Sequence, residues 1–193
     1  MHANQSSLKL VIADPQATET LAAQVAGCIG PGWRLFLSGD LGAGKTHFAR
    51  ALLRALGHTG RVPSPTFTLM EPYNLPNFDL YHFDFYRFST ENDWRDAGFD
   101  ESIDDGRTAV VIEWPERAGD SLPAPDLWLR LAADDSAEAG GDTAPGREPA
   151  AETEPRSRLA ALEAYSVRGA SCLSALADGL AHGRLAGVSF AAA

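Results

Sequence analysis

Residues 39–46 read GDLGAGKT and match the pattern G-x-x-x-x-G-K-[ST], in which each fixed residue type has a chemical purpose. Glycines let the backbone turn successive N–H groups toward an anion, and a helix that starts directly after them adds further N–H groups and a favourable dipole. Lys45 can reach the β- and γ-phosphates of a nucleotide, and the Thr46 hydroxyl can ligate Mg²⁺. The loop therefore predicts binding of a nucleotide phosphate chain.

Two acidic residues in apolar surroundings are the candidates to complete this site. Asp84 lies within HFDFYRF, and Glu113 ends VVIE. A carboxylate inside an apolar strand needs a partner, and Mg²⁺ or a metal-bound water would be one, whereas a solvated or ion-paired acid is the simpler alternative. His82 precedes Asp84 by two residues and would face the same side of the strand, either as a hydrogen-bonded structural group or as a catalyst.

The lysine positions bear on which base the nucleotide carries. A guanine-binding protein with such a loop normally has an N-K-x-D motif, but the two lysines of this chain, Lys9 and Lys45, follow Leu8 and Gly44 instead of asparagine. ATP is therefore the expected nucleotide.

The elements that must position these residues alternate along the first part of the chain. Strands are predicted at 8–12, 33–38 and 80–88, and a fourth within 108–115 that ends at Glu113 because Pro115 stops it. Helices are predicted from Asp14 and Pro15 to the Gly-Pro-Gly at 30–32, from the glycine loop to Gly57, and from Thr90 to Gly98. Three prolines within 61–73 exclude a helix there, so this stretch is predicted to be a loop that enters an extended segment.

The second part of the chain predicts a hairpin and a closing helix. Residues 126–133 and 158–167 alternate partly in polarity and are expected to pair, and residues 170–183 are expected to form the helix. Between the two strands, residues 134–156 contain almost no large apolar side chain, so we predict a disordered acidic insertion. The sequence thus predicts a single α/β domain over 1–193, with helices on both faces of a sheet.

Composition and charge narrow the classes of partner. The formal net charge is −10, which disfavours tight direct binding to a nucleic-acid backbone, and residues 134–155 account for −6 of it through seven acids and Arg147. No signal-peptide pattern and no membrane-spanning apolar run occur in the sequence, and Cys28 and Cys172 do not form a C-x-x-C pair. A cytoplasmic protein with two free thiols and no membrane contact is expected.

Four segments together, GDLGAGKT, SPTFTL, HFDFYRF and IEWPER, resemble the bacterial TsaE (YjeE) family in order and spacing. The resemblance covers residues 8–180 apart from the acidic insertion. It implies a phosphate-loop fold with an α/β sheet and an ATPase subunit required for threonylcarbamoyladenosine modification of tRNA. Such a subunit acts through transferase partners of the TsaD and TsaB type and meets tRNA only indirectly.

The resemblance also implies a role for individual residues. Thr46 and Glu113 would bind Mg²⁺ directly or through water, Lys45, Asp84 and Glu113 would be catalytic, and Asp84 would position or activate water or support the metal. Ser64 and Thr66 would belong to a mobile segment that responds to the γ-phosphate, while Tyr86 and Arg87 would face a partner, with a structural ion pair as the alternative for Arg87. The implied nucleotide contacts are Gly39, Asp40, Leu41, Gly42, Ala43, Gly44, Lys45, Thr46, His47, Thr66 and Trp114, the last with an apolar anchor at a strand end as its alternative.

One position departs from the family pattern. His47 stands where the family usually has a second hydroxyl residue, so a backbone contact to the α-phosphate is expected to remain while a hydroxyl contact is lost.

Two other functions share the loop chemistry, namely a small-molecule kinase and a nucleotide-dependent switch with negligible turnover. A kinase of this kind usually needs an arginine-rich lid, and the sequence has no evident one, although Arg61, Arg87 and Arg95 could contribute.

Overall fold

The computed structural model describes residues 6–134 and 157–191, which form one eight-stranded sheet with helices on both faces. The strands are β1 (Ser7–Ile12), β2 (Arg34–Ser38), β3 (Met70–Asn74), β4 (Asp79–Asp84), β5 (Ala109–Glu113), β6 (Leu127–Ala133), β7 (Arg158–Ala164) and β8 (Val188–Phe190). The helices are α1 (Pro15–Ala26), α2 (Lys45–Ala55), α3 (Asp93–Asp96), α4 (Asp100–Asp104) and α5 (Val167–Ala181), and a 3₁₀ stretch spans Pro115–Ser121. The predicted α/β class is confirmed.

The sheet has a parallel centre and antiparallel flanks. Its order is β3-β4-β5-β2-β6-β7-β1-β8, and the pairs β4–β5, β5–β2 and β2–β6 are parallel. The remaining pairs are antiparallel, including the predicted hairpin of β6 and β7. Its second strand ends at Ala164 and not at the predicted residue 167, because Ser166 caps α5 and Val167 is the first residue of that helix. Parallel strands end at one edge of a sheet, so the carboxyl ends of β4, β5 and β2 lie side by side, and this is where ligands usually bind in such folds.

Alternation along the strands divides the core into two layers. On one face, Leu35 and Leu37 of β2 pack with the long helices α1, α2 and α5. On the other face, Phe36 packs with Phe83, Ile112 and Trp94 beneath α3 and α4.

The first helix begins where the sequence predicts and ends earlier. The Asp14 carboxylate accepts the N–H of Ala17 at 2.7 Å, and Pro15 occupies the first turn. The helix ends at Ala26 with Gly27 as its C-cap, because the N–H of Cys28 returns to the Val25 carbonyl in a turn. The predicted end at 30–32 is thus wrong by about one turn of helix.

The end of β4 and the start of α3 also differ from the prediction. Strand β4 stops at Asp84 and does not reach Phe88, because the Asp84 carboxylate accepts the N–H of Tyr86 at 3.0 Å and turns the chain. The helix predicted to be capped at Thr90 begins only at Asp93, whose own carboxylate takes the N–H groups of Ser89 and Thr90 in a loop.

The end of the chain also differs from expectation. Helix α5 is capped by Ser166, but it is not the last element, because β8 follows it and pairs with β1.

The predicted insertion at 134–156 lies outside the described residues except for Asp134, whose N–H donates to the Ser157 carbonyl at 3.1 Å. Cys28 is partly buried, Cys172 is buried, and both are free thiols. Within 6–134 and 157–191, no helix has the length and apolar character needed to cross a membrane.

Candidate functional site

The glycine loop joins β2 to α2 in a conformation that only glycine adopts readily. Gly39, Gly42 and Gly44 have φ angles of 136°, 84° and 105°. A Cβ atom at Gly39 would lie 2.1 Å from the carbonyl oxygen of Leu131, so the loop is held against β6 as well as turned back on itself. Gly44 is the N-cap of α2, and the helix presents its free N–H groups toward the inside of the loop.

Lys45 is folded into this loop. Its ammonium group donates to the carbonyl oxygens of Gly39 at 2.6 Å and Asp40 at 2.9 Å, and it lies 3.7 Å from the centre of the Trp114 ring. The residue is only 4% exposed. Burial lowers the pKa of the Lys45 amine, and the carboxylates of Glu113, Glu116, Asp84 and Asp40 oppose that shift. The positive charge of Lys45 is thus held at the opening of the loop, next to the position that a bound phosphate would occupy.

The first acid of the site, Glu113, is held from two sides. The Thr46 hydroxyl donates to its Oε2 at 2.9 Å, and His82 Nε2 lies 2.9 Å from its Oε1. His82 is fully buried and Glu113 is 2% exposed, so both oxygens are held away from bulk water. A hydroxyl and a carboxylate side by side are hard oxygen donors of the kind that Mg²⁺ prefers.

The second acid, Asp84, lies next to Glu113 in the parallel register of β4 and β5. Its Oδ2 accepts the Thr66 hydroxyl at 2.7 Å, and Thr66 is in turn 2.8 Å from the Ser64 hydroxyl. The backbone N–H of Asp84 donates to the Leu69 carbonyl at 3.1 Å. The loop between α2 and β3 is therefore hydrogen-bonded directly to Asp84, one of the two acids of the site.

Trp114 closes the site from the end of β5. It has a left-handed backbone conformation with φ of 59°, which is uncommon for a residue with a large side chain, and its N–H donates to the Leu37 carbonyl at 3.0 Å. Its ring lies 5.1 Å from the Tyr86 ring and over the Lys45 amine. Strained backbone of this kind is concentrated at functional sites.

The His47 ring contacts the start of α1. The Nε2 atom lies 3.2 Å from the Pro15 carbonyl oxygen and 3.9 Å from a Glu19 carboxylate oxygen. The imidazole thus ties α2 to α1, and it also contributes to the wall of the cleft.

These groups surround one open cleft of about 230 Å³. The residues that line it are Leu41, Gly42, Gly44, Lys45, Thr46, His47, Thr66, Asp84, Tyr86, Glu113 and Trp114. Of the residues predicted for the site, Gly39, Asp40 and Ala43 do not line the cleft. Gly39 and Asp40 instead supply the carbonyl groups that hold Lys45.

Three features of the site were not predicted in this form. Tyr86 lines the cleft, whereas the family resemblance implies only a partner-facing role for it. The Arg87 guanidinium lies 4.4 Å above the Phe67 ring and makes no ion pair within the described ranges. Glu116, three residues beyond Glu113 and in the same IEWPER segment, raises the pKa of the Lys45 amine through its negative charge.

Comparison with known proteins finds a matching family model and several proteins of similar sequence. The family model "Threonylcarbamoyl adenosine biosynthesis protein TsaE" matches residues 12–140. A Bacillus subtilis protein named "tRNA threonylcarbamoyladenosine biosynthesis protein TsaE" is 38% identical over 133 residues, which are 68% of this chain and 82% of that protein. A protein of the same name from Haemophilus influenzae is 38% identical over 97 residues, and the match spans half of this chain and 61% of that relative's length.

A solved structure shows the same fold. The crystal structure of YdiB from Bacillus subtilis superposes with a TM-score of 0.68 at 27% identity, and the match covers 91% of this chain and 97% of YdiB.

Proposed function

The chain belongs to the TsaE family of tRNA threonylcarbamoyladenosine biosynthesis proteins, and from this premise we propose that it is an Mg²⁺-dependent ATPase whose turnover serves that modification through partner proteins. The observation that supports the proposal best is the placement of Thr46 against Glu113, at 2.9 Å, beside the glycine loop. A hydroxyl from the loop and an acid from a neighbouring strand are the pair that phosphate-loop enzymes use around their metal.

The described residues fit a bound Mg²⁺ ion. Thr46 and Glu113 would hold it, directly or through water, because both present oxygen atoms to the cleft. Within the described residues, no group of three His, Cys, Asp or Glu side chains could hold a metal ion. Two protein ligands are sufficient for Mg²⁺, which usually keeps several waters and takes substrate phosphate oxygens. When bound, the ion would stabilise negative charge on the phosphates.

The other groups would orient the reactants. Lys45 would exchange its two carbonyl partners for phosphate oxygens, and the N–H groups of the loop and of α2 would surround the phosphate chain. Asp84 would hold a water for attack on the γ-phosphate, because its carboxylate lines the cleft and is fixed there by Thr66 and by the Tyr86 N–H. Trp114 and Tyr86 would cover the phosphates and exclude water from Lys45.

We further propose that the partners are threonylcarbamoyl transferase subunits of the TsaD and TsaB type, and that the protein acts with them in the cytoplasm. The net charge of −10 disfavours a broad contact with tRNA and favours a role in which the chain meets protein.

The proposal is tested by phosphate release from ATP, measured with the full chain alone and with the cognate transferase subunits. Turnover should require Mg²⁺, should increase with the subunits, and should be abolished in Lys45→Ala. If the γ-phosphate is recovered on an acceptor molecule instead of as free phosphate, the protein is a kinase. If the subunits neither bind nor stimulate turnover, the assigned partners are wrong.

Two conservative variants separate the roles of the acids. Asp84→Asn should fold, should keep nucleotide affinity and should lose turnover. Glu113→Gln should fold and lose turnover too, with weaker binding of the Mg²⁺–nucleotide complex. Wild-type turnover in both variants would show that the two carboxylates are structural.

A further inference from the structure

A second, basic cleft lies next to the candidate site and shares Thr66 with it. We call it the arginine cleft. It has a volume of about 640 Å³, and its lining residues are Arg50, Arg54, Arg61, Val62, Pro63, Ser64, Thr66 and Phe67. The cleft runs between α2 and the loop that leads into β3. Its lining contains three arginines and no acidic residue, in a chain whose net charge is −10.

The three arginines are arranged so that two of them are available to a ligand. Arg50 donates from Nε to the Val62 carbonyl oxygen at 3.0 Å, which fixes its stem against the loop. Arg54 lies one helical turn further along the same face of α2, and both it and Arg61 are exposed. Neither Arg54 nor Arg61 has an ion-pair partner among residues 6–134 and 157–191. Two cations thus face one cleft without a neutralising carboxylate.

An exposed aromatic side chain completes the cleft. Phe67 is 82% exposed, and the Arg87 guanidinium lies 4.4 Å above its ring. Arginine is among the residue types that contribute most to binding energy at protein interfaces, and phenylalanine is enriched there relative to the rest of the surface.

The arginine cleft is also connected to the chemistry of the site. The loop that carries Arg61 and Phe67 carries Ser64 and Thr66 as well, and the Thr66 hydroxyl donates to Asp84 at 2.7 Å. A nucleotide phosphate or a water that binds Asp84 would alter the hydrogen bond between Asp84 and Thr66. A ligand of the arginine cleft would contact the loop that carries Thr66.

We propose that the arginine cleft docks an acidic segment of a partner protein and that nucleotide in the candidate site changes the affinity of this docking. The dependence on nucleotide rests on the proposed function, whereas the docking itself does not. Charge complementarity favours a short acidic peptide over RNA, because a peptide meets only the local positive field, whereas a longer phosphate backbone would also meet the acidic remainder of the surface.

The test measures binding of a fluorescent short polyglutamate peptide to the full chain by anisotropy at low salt. A polyuridylate oligonucleotide of matched charge serves as the RNA probe. The peptide should bind, and the double variant Arg54→Glu/Arg61→Glu should bind it at least about tenfold more weakly, because it loses two charge-assisted contacts. The matched control is Arg184→Glu, an exposed arginine on the turn after α5, which should change the affinity by less than about twofold.

Three outcomes would overturn the proposal: no peptide binding, equal loss in the control variant, or tighter binding of the RNA probe than of the peptide. The measurement without nucleotide tests the docking surface even if the protein does not hydrolyse ATP. A second titration with a non-hydrolysable ATP analogue and Mg²⁺ tests the coupling, and an unchanged peptide affinity at saturating analogue would refute that part. The single variant Arg54→Glu should keep the basal rate of phosphate release, because Arg54 lies on α2 and does not line the nucleotide cleft.

Discussion

Replacing His82 with leucine should lower the free energy of unfolding and should do so mainly through Glu113. His82 is fully buried, and its Nε2 lies 2.9 Å from the Glu113 Oε1. Leucine fills a similar volume but offers no partner to the carboxylate. A hydrogen bond to a charged group contributes about 1.5–3 kcal/mol, and we expect a loss in this range for His82→Leu.

A double-mutant cycle isolates the pair. In Glu113→Gln the oxygen that faces position 82 is neutral, so His82→Leu should cost less in that background than in the wild type. The coupling energy is the loss for His82→Leu in the wild type minus the loss in the Glu113→Gln background, and we expect about 1–2 kcal/mol. It is smaller than the loss in the wild type because the glutamine side chain also loses its partner when leucine replaces His82. Equilibrium unfolding in urea, followed by circular dichroism, measures all four proteins.

A second cycle is the control. His82→Leu combined with Arg184→Ala should be additive, since Arg184 lies on an exposed turn after α5. Additivity within about 0.5 kcal/mol in the His82–Glu113 cycle as well would refute the reasoning, because it would mean that the imidazole does not stabilise the carboxylate.

Three more results are expected. Thr66→Val, which removes the donor to Asp84, should lower the rate of phosphate release roughly tenfold or more and leave nucleotide affinity within about threefold. Thr66→Ser keeps the hydroxyl and should restore the rate. An unchanged rate in the valine variant would show that this loop does not contribute to turnover. Burial raises the pKa of Tyr73 to about 12, whereas unfolding returns it to about 10, so stability from this residue is present below pH 10 and is lost as the pH rises through 12. Tyr73→Phe should remove that part of the alkaline loss and the last step of a tyrosine absorbance titration, and a titration identical to the wild type would contradict the assignment. Gly39→Ala should cost at least about 3 kcal/mol in urea unfolding, because its Cβ would lie 2.1 Å from the Leu131 carbonyl oxygen; a cost below about 1 kcal/mol would show that the loop relaxes freely.

Local chemistry explains why much of the site was predictable. The glycine loop, Asp84 and Glu113 each occur in short segments whose residue types and spacing have a direct physical meaning, and alternation along β4 placed His82 and Asp84 on one face. The contact of His82 with Glu113 was not predictable in this way, because it depends on the register between β4 and β5, which are separated in sequence by α3 and α4.

The features that sequence reasoning missed depend on distant contacts. Strand β8 has three residues, too few for an alternation pattern, and its pairing with β1 defines it. The end of β4 follows from a side chain that competes with the sheet for a backbone N–H. For Arg87 the resemblance implies a partner-facing surface, with an ion pair as the alternative. The structure places its guanidinium over the Phe67 ring, 20 positions earlier, on a loop whose course the sequence alone does not specify.

The edges of the sheet have a consequence for how the protein behaves at high concentration. The described sheet ends in β3 on one side and in β8 on the other. Strand β3 contains Pro72, which lacks an N–H, and β8 is only three residues long. An incoming strand would therefore find a broken ladder at one edge and a very short one at the other, and both features hinder edge-to-edge polymerisation. Both edges of the described sheet therefore disfavour the strand addition on which amyloid-like association depends.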